Sequence, residues 1–302
     1  MFPLVHHPDY TIAADRRGAG TAFPWNKYSL LMTTLRALPL PPVEHEAPMV
    51  ERAWLEAVHD PAYVAQVLGT DVPDHKARRI GFPVTAPLAR RVQRTCGGTV
   101  AAARLALAHG YAANTAGGSH HAHYDCGAGY CIFNDLAVAA RRLLAEGAVR
   151  HVLIVDLDVH QGDGTAALLA GRDDVTTFSM HADRNYPVRK AQSTLDVALP
   201  DGCDDDAYLA ALADHLPRLI EACAPDLILY QAGVDPHGED RLGRLSLTDD
   251  GLAARDGMVA WEARRRGIPV ASTLGGGYGE DQAVLAARHA ASIQTMARIY
   301  YR

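Results

Sequence analysis

The sequence predicts an α/β protein built on a mostly parallel sheet with helices on both faces. Three observations carry this expectation. Short apolar runs at residues 112–115, 152–157, 175–180, 227–231 and 270–274 read as buried strands. Helical patterns alternate with them, as in a sheet wrapped on both sides. Ionisable residues cluster directly after the apolar runs, at the carboxyl edge where such sheets bind ligands.

Along the chain, "WNKYSLLMTTLRAL" has helical spacing and stops before Pro39, and "MVERAWLEAV" and "PAYVAQVL" read as shorter helices. "APLARRVQRTCGGTVAAARLALAHG" is a long helical stretch with a soft spot at Gly97-Gly98 and a stop signal at Gly110. Helical patterns follow at 136–146, 205–222 and 252–266, and "DQAVLAARHAASIQTMARIYY" closes the chain. No repeat or low-complexity linker divides the 302 residues, a length that fits one large α/β domain or two ordinary ones.

Composition narrows the function classes. Hydrophobic residues make up 48% and charged residues 21%, as in ordinary soluble proteins. The net charge of −6, with no basic tail or stripe, argues against a general nucleic-acid or membrane-surface binder. Arg90, Arg91 and Arg94 stand at helical spacing and read as a solvated helix face. No apolar stretch is long enough to span a membrane, and "MFPLVHHPDY" lacks the features of a signal peptide. Five irregularly spaced cysteines do not form a disulfide framework, so a reducing cytoplasm is the expected compartment. Abundant Ala and Arg suggest a GC-rich bacterial genome.

The chemistry lies in the polar strand ends. In "RHVLIVDLDVHQGDGT" the apolar run ends in Asp156, Asp158, His160 and Asp163. Asp158 and His160 are two apart and point the same way in an extended segment. With Asp235 from "DLILYQAGVD" they make a two-carboxylate, one-imidazole set that suits zinc and leaves a position open for water or substrate. Such a metal lowers the pKa of its water towards about 7 and polarises a carbonyl. His120 and His121 suit a proton shuttle, with Asp156 and Asp163 as the partners that fix their tautomers. Tyr278, on a flexible Gly275-Gly276-Gly277 arm, is placed to donate to a developing oxyanion.

Competing readings fit less well. "DLDVHQGDGT" fails as an EF-hand, with Gln161 in place of the turn glycine and Ala167 in place of the final glutamate. A phosphotransferase with Asp156 as nucleophile leaves the tandem histidines and Tyr278 without a purpose. "GGGYGED" lacks the Lys and Ser/Thr of a P-loop. Cys126 and Cys131 read as buried free thiols rather than a redox pair, and His6, His7 and His123 as non-ligands.

Together "GGSHHAH", "GAGYCIFND", "VDLDVHQGDGT", "YQAGVD" and "LGGGYGED" resemble, in order and spacing, the zinc-dependent histone deacetylase family over about residues 110–280. "HADRNYP" and "GVDPHGEDRLGRLSLT" are most similar to its class IV branch. The resemblance implies the arginase-deacetylase fold, one catalytic domain over residues 1–302 with a central eight-stranded parallel sheet. It implies Asp158, His160 and Asp235 as ligands of one zinc ion. His121 with Asp163 is implied as general base, His120 with Asp156 as its electrostatic or acidic neighbour, and Tyr278 as the group polarising the acyl carbonyl. Gly129, Tyr130 and Tyr186 become the substrate tunnel. A potassium ion is implied beside Asp156, the backbone at Asp158 and His160, Ser179 and the Met180 carbonyl.

Arginases share the fold but hold two metals, and Gly162 and His237 stand at two of the positions a second metal would need. Two departures from the family concern the rim and the metal segment. Gln161 follows the metal histidine where many relatives have a second histidine, and Phe23-Pro24-Trp25 replaces a His-Pro pair in the entrance loop. The expected activity is hydrolysis of acyl groups, acetyl or longer, from protein lysines. The alternatives are a deacylase of small acylated amines such as acetylpolyamines, against which the lack of an obvious loop insertion weighs, and a non-catalytic acyl-lysine-binding protein.

Overall fold

All five apolar runs become strands in which every residue is buried. Strands covered on both faces need no alternation of polar and apolar residues. The computed structural model describes residues 1–12 and 23–301. Among these the strands are β1 (Phe2–His6), β2 (Pro42–Glu46), β3 (Tyr111–Asn114), β4 (Val152–Asp156), β5 (Val175–Ala182), β6 (Leu195–Leu199), β7 (Leu227–Gln231) and β8 (Val270–Thr273). They form one parallel sheet in the order β2-β1-β3-β8-β7-β4-β5-β6.

The helices among the described residues are α1 (Lys27–Ala37), α2 (Arg52–Glu56), α3 (Pro61–Gly69), α4 (Asp74–Ile80), α5 (Ala86–His109), α6 (Asp135–Ala145), α7 (Asp163–Leu169), α8 (Asp205–Cys223), α9 (Asp249–Arg264) and α10 (Gln282–Tyr300). α1, α10, α9 and α8 pack in succession as one layer, and α5, α6 and α7 as another. Right-handed crossovers separate the layers. Connections running towards the β6 edge lie on one face and those running back lie on the other. After β4 the chain turns towards β5, whereas after β7 it turns towards β8. The neighbours β4 and β7 therefore part at their carboxyl ends and open the crevice in which α/β sheets hold ligands.

Two expectations are corrected here. Gly97-Gly98 is no soft spot, because α5 runs unbroken through it. A side chain at 97 would strike the Pro48 carbonyl and one at 98 the Tyr10 hydroxyl, so the glycines serve close packing. Nor do the three arginines form a solvated face. Arg90 is exposed, but Arg91 is buried, donates from Nε to the Tyr10 carbonyl at 3.0 Å and lies over the rings of Phe23, Trp25 and Tyr28. Arg94 Nη1 donates to the Ala47 carbonyl.

Candidate active site

The crevice gathers the residues that the sequence singled out. Asp158 and His160 follow β4, and Asp235 follows β7. One ligand atom from each lies within 4.8 Å of the others, and all three side chains are buried. His160 Nδ1 is 3.0 Å from Asp158 Oδ1 and 3.2 Å from Asp235 Oδ2. Asp158 Oδ2 accepts from the Gln231 side-chain amide at 2.8 Å and from the Gly276 N–H at 2.7 Å. Asp235 Oδ1 accepts from the Val159 N–H, whereas buried Asp235 Oδ2 makes no well-formed hydrogen bond and has only the His160 ion pair beside it.

Charge in this triad is unbalanced. Two buried carboxylates face one imidazole. Burial and the charge of Asp158 push the Asp235 carboxyl up to about 7. Burial acts against a proton on His160, but Asp158 and Asp235 outweigh it and hold the imidazole up to about 10. Buried charge of this kind calls for a proton or a cation in its midst. The Asp235 oxygen that lacks a hydrogen bond and the mixed oxygen–nitrogen donor set fit a divalent metal such as zinc. Close backbone approach frames the cluster, since a side chain at Gly233 or Gly276 would run into the carboxylates of Asp158 and Asp235.

Two imidazole–carboxylate pairs flank the triad. His120 Nδ1 lies 2.7 Å from Asp156 Oδ2, and its Nε2 lies 3.8 Å from Asp158 Oδ1. Burial works against its proton, but Asp156 and Asp158 prevail and hold it up to about 9. His121 Nδ1 lies 2.6 Å from Asp163 Oδ1. Burial and the neighbouring charge of His120 push it down to about 3, so this imidazole is neutral. Burial opposes ionisation of Asp163, yet its bonds to His121 and His123 keep its carboxyl well below the usual range. An ionised Asp163 only accepts, so His121 carries its proton on Nδ1 and leaves Nε2 as an acceptor.

The mouth above these groups is a cavity of about 270 Å³ lined by Arg79, Ile80, Gly81, Gly129, Tyr130, Tyr186, Leu242 and Tyr278 with the edges of His121 and His160. Tyr186 stands edge-on to His121 at 4.8 Å, and its 41% exposure puts it at the opening. Tyr130 adopts a left-handed backbone, with φ of 67°, a strained choice for a bulky residue that turns it into the cavity. Its ring is 5.8 Å from that of Tyr278. Phe23 and Trp25 of the entrance segment lie beneath the mouth. Trp25 is buried against Phe82, and Phe23 packs on Tyr130.

The glycine arm is also corrected. Gly275 N–H donates to the Gly117 carbonyl, Gly276 N–H to Asp158, and Tyr278 N–H to Asp240 Oδ2 at 2.6 Å. The arm is pinned, and its glycines are there for close approach rather than flexibility. Of the residues assigned to potassium, Asp156 pairs with Ser179 across β4 and β5, Met180 is next along β5, and Asp158 and His160 follow β4. Ser179 Oγ bonds to His181 Nδ1 at 2.9 Å. Cys126 and Cys131 are buried and free. His6 bonds to Thr115, and His123 to Asp163.

Sequence reasoning missed three residues that hold the site in place: Gln231, Asp240 and His123. Gln231 carried a weak signal as a polar residue closing an apolar run. Asp240 and His123 carried none, since their partners are far away in the sequence.

The fold matches solved structures closely. It covers 99% of this chain and 99% of an acetylpolyamine aminohydrolase from Burkholderia pseudomallei, with a TM-score of 0.80 at 21% identity. It covers 100% of this chain and 84% of an HDAC homolog complexed with SAHA, with a TM-score of 0.83 at 22% identity. At such identities the likeness speaks for the fold alone, an α/β sheet of the deacetylase type. Residues 22–294 match the histone deacetylase domain, and the chain belongs to that family.

An uncharacterized protein of Picosynechococcus is 46% identical over 293 residues, 95% of this chain and 96% of the relative. Histone deacetylase 2 of Arabidopsis thaliana is 34% identical over 62% of this chain and 49% of its own length. A histone deacetylase-like amidohydrolase of Pseudomonas aeruginosa is 34% identical over 53% of this chain and 46% of its own. The matches thus span about half the length of these last two relatives. Among the described residues no helix is long and apolar enough to cross a membrane.

Proposed function

We propose that the chain, acting as one catalytic unit, is a metal-dependent deacylase that hydrolyses the amide between an acyl group and a lysine side chain. The observation supporting this best is that the Asp158–His160–Asp235 cluster sits beside two imidazoles, each bonded to its own carboxylate, His120 to Asp156 and His121 to Asp163. Zinc held by those three residues would act as a Lewis acid towards the acyl carbonyl.

The chain supplies the remaining steps. Neutral His121 takes a proton from the attacking water at Nε2 while Nδ1–H stays on Asp163. His120, bonded to Asp156, and the Tyr278 hydroxyl stabilise the negative charge that grows on the acyl oxygen. As the C–N bond breaks, the proton held by His121 passes to the departing nitrogen. Acid and amine leave, and His121 is neutral again. Tyr130 and Tyr186 are the walls between which an apolar lysine stem lies.

The mouth also bears on the choice of substrate. Among its lining residues Arg79 is a fixed cation and none is a carboxylate. A polycationic acylated amine finds no counter-charge there, whereas an acyl-lysine within a neutral or acidic peptide meets no repulsion. The test is kcat/KM for acetyl-, butyryl- and myristoyl-lysine peptides and for acetylated polyamines, before and after chelation and with zinc restored. Peptide turnover that chelation abolishes and zinc restores supports the reading. Preference for the polyamines overturns the substrate, and binding of acyl-lysine without turnover overturns the enzyme.

A further inference from the structure

One residue outside the expected machinery touches it directly. Asp163 bridges two imidazoles: Oδ1 takes His121 Nδ1 at 2.6 Å, and Oδ2 takes His123 Nε2 at 2.9 Å. The carboxylate is buried, while the His123 side chain keeps 24% of its surface accessible. His123 therefore lies on the solvent side of Asp163, with His121 on the inner side. Its backbone is fixed independently. Its N–H donates to the Cys126 carbonyl at 2.9 Å, and its carbonyl accepts from His59 Nδ1 at 2.8 Å. His59 Nε2 in turn accepts from the Asn134 N–H, which settles the His59 tautomer. Asp163 is held from the other end, where the α7 backbone abuts residues 121 and 122 so closely that a side chain at Gly164 would strike the Ala122 carbonyl.

We infer that His123 is a positioning residue for the base. By donating Nε2–H to Oδ2 it fixes the plane of the Asp163 carboxylate, which keeps Oδ1 on His121 Nδ1–H and Nε2 of His121 free to accept. A carboxylate with one donor can rotate about its terminal torsion, a broad and soft one. With a donor on each oxygen it cannot, and the His121 tautomer is held singly. The inference rests on the proposed hydrolase reading for its rate effect, but not for its structural signature.

Three variants of the loaded enzyme test it. His123→Gln keeps an N–H donor near the Nε2 position, His123→Leu keeps volume without the donor, and His123→Ala opens space for added imidazole. The His121 Nδ1 proton, in a short charge-assisted bond, gives a far-downfield proton resonance readable without substrate. We expect that resonance to persist in wild type and His123→Gln and to weaken or broaden in His123→Leu. We also expect kcat to fall on the order of 10-fold to 100-fold in His123→Leu with KM nearly unchanged, the size usual for loss of such an outer partner. Imidazole should restore part of the rate in His123→Ala. An unaltered resonance together with kcat within twofold of wild type in His123→Leu overturns the inference. A wild type that shows the resonance but turns over no substrate overturns the hydrolase reading instead.

Discussion

The inner and outer histidine pairs use the same residue types at adjacent positions, yet they are tuned to opposite ends. His120–Asp156 lies next to the Asp158 carboxylate, whose charge helps to hold the imidazole protonated. His121–Asp163 lies under the mouth, where burial and the neighbouring charge of His120 outweigh Asp163, a carboxylate shared with a second donor. Burial opposes the proton in both rings, so it does not distinguish them. The difference comes from which charges stand within a few ångströms, and those charges shift the two rings in opposite directions, as the proposed division between cation and base requires.

The comparison breaks most clearly on replacing each ring in turn. His121→Ala should lower kcat by on the order of 10²–10⁴, the usual worth of a general base. His120→Ala should cost less, because the base remains. Equal losses in single-turnover rates would mean that the two rings share one role. Tyr278→Phe, which leaves both pairs intact, should cost about 10²–10³ in kcat with metal content unchanged. Near-normal turnover would remove the hydroxyl from the reaction.

The carboxylates sharpen the contrast. Asp156→Asn leaves a buried imidazolium without its main partner and should cost on the order of 3–5 kcal/mol in denaturant unfolding. Asp163→Asn should affect the rate more than the fold, since its amide group can donate to the wrong side of His121. A large rate loss without destabilisation in both variants would erase the difference.

The smallest effect concerns the outer pair's support. Burial lowers His59 to about 4, below its ordinary 6.5, so the unfolded chain binds the extra proton first. The stability this gives is present above pH 6.5 and is lost as pH falls towards 4. It amounts to about 3 kcal/mol over that window. His59→Gln should flatten this part of the stability–pH curve, and an unchanged curve would show that His59 titrates freely.

The legible part of the fold was the part carried by apolar runs. Residues 227–231 match β7 end for end, and the other four predicted strands differ from the observed ones by at most two residues at either end. β1, β2 and β6 were missed for separate reasons. "FPLVH" is a five-residue run at the chain start, "PVEHE" is an edge strand with charged residues, and "LDVAL" is a half-exposed edge. α4 is short and polar, and α7 starts inside the motif at Asp163. In the site, the residues at strand tips were legible because several polar groups follow apolar runs. Asp240 and His123 were not, and Gln231 was only weakly so, because each acts through a hydrogen bond across the fold and short-range spacing does not record such bonds.

Gly276 carries a last consequence. Its amide hydrogen reaches Asp158, and its missing side chain leaves just enough room for the Asp235 carboxylate. The width of the gap between two acids is therefore written into the backbone and not into any side chain that drift could trim or enlarge. Descendants of this sequence are free to reshape the rim for new substrates, but any residue larger than glycine at 276 would push an acid out of place.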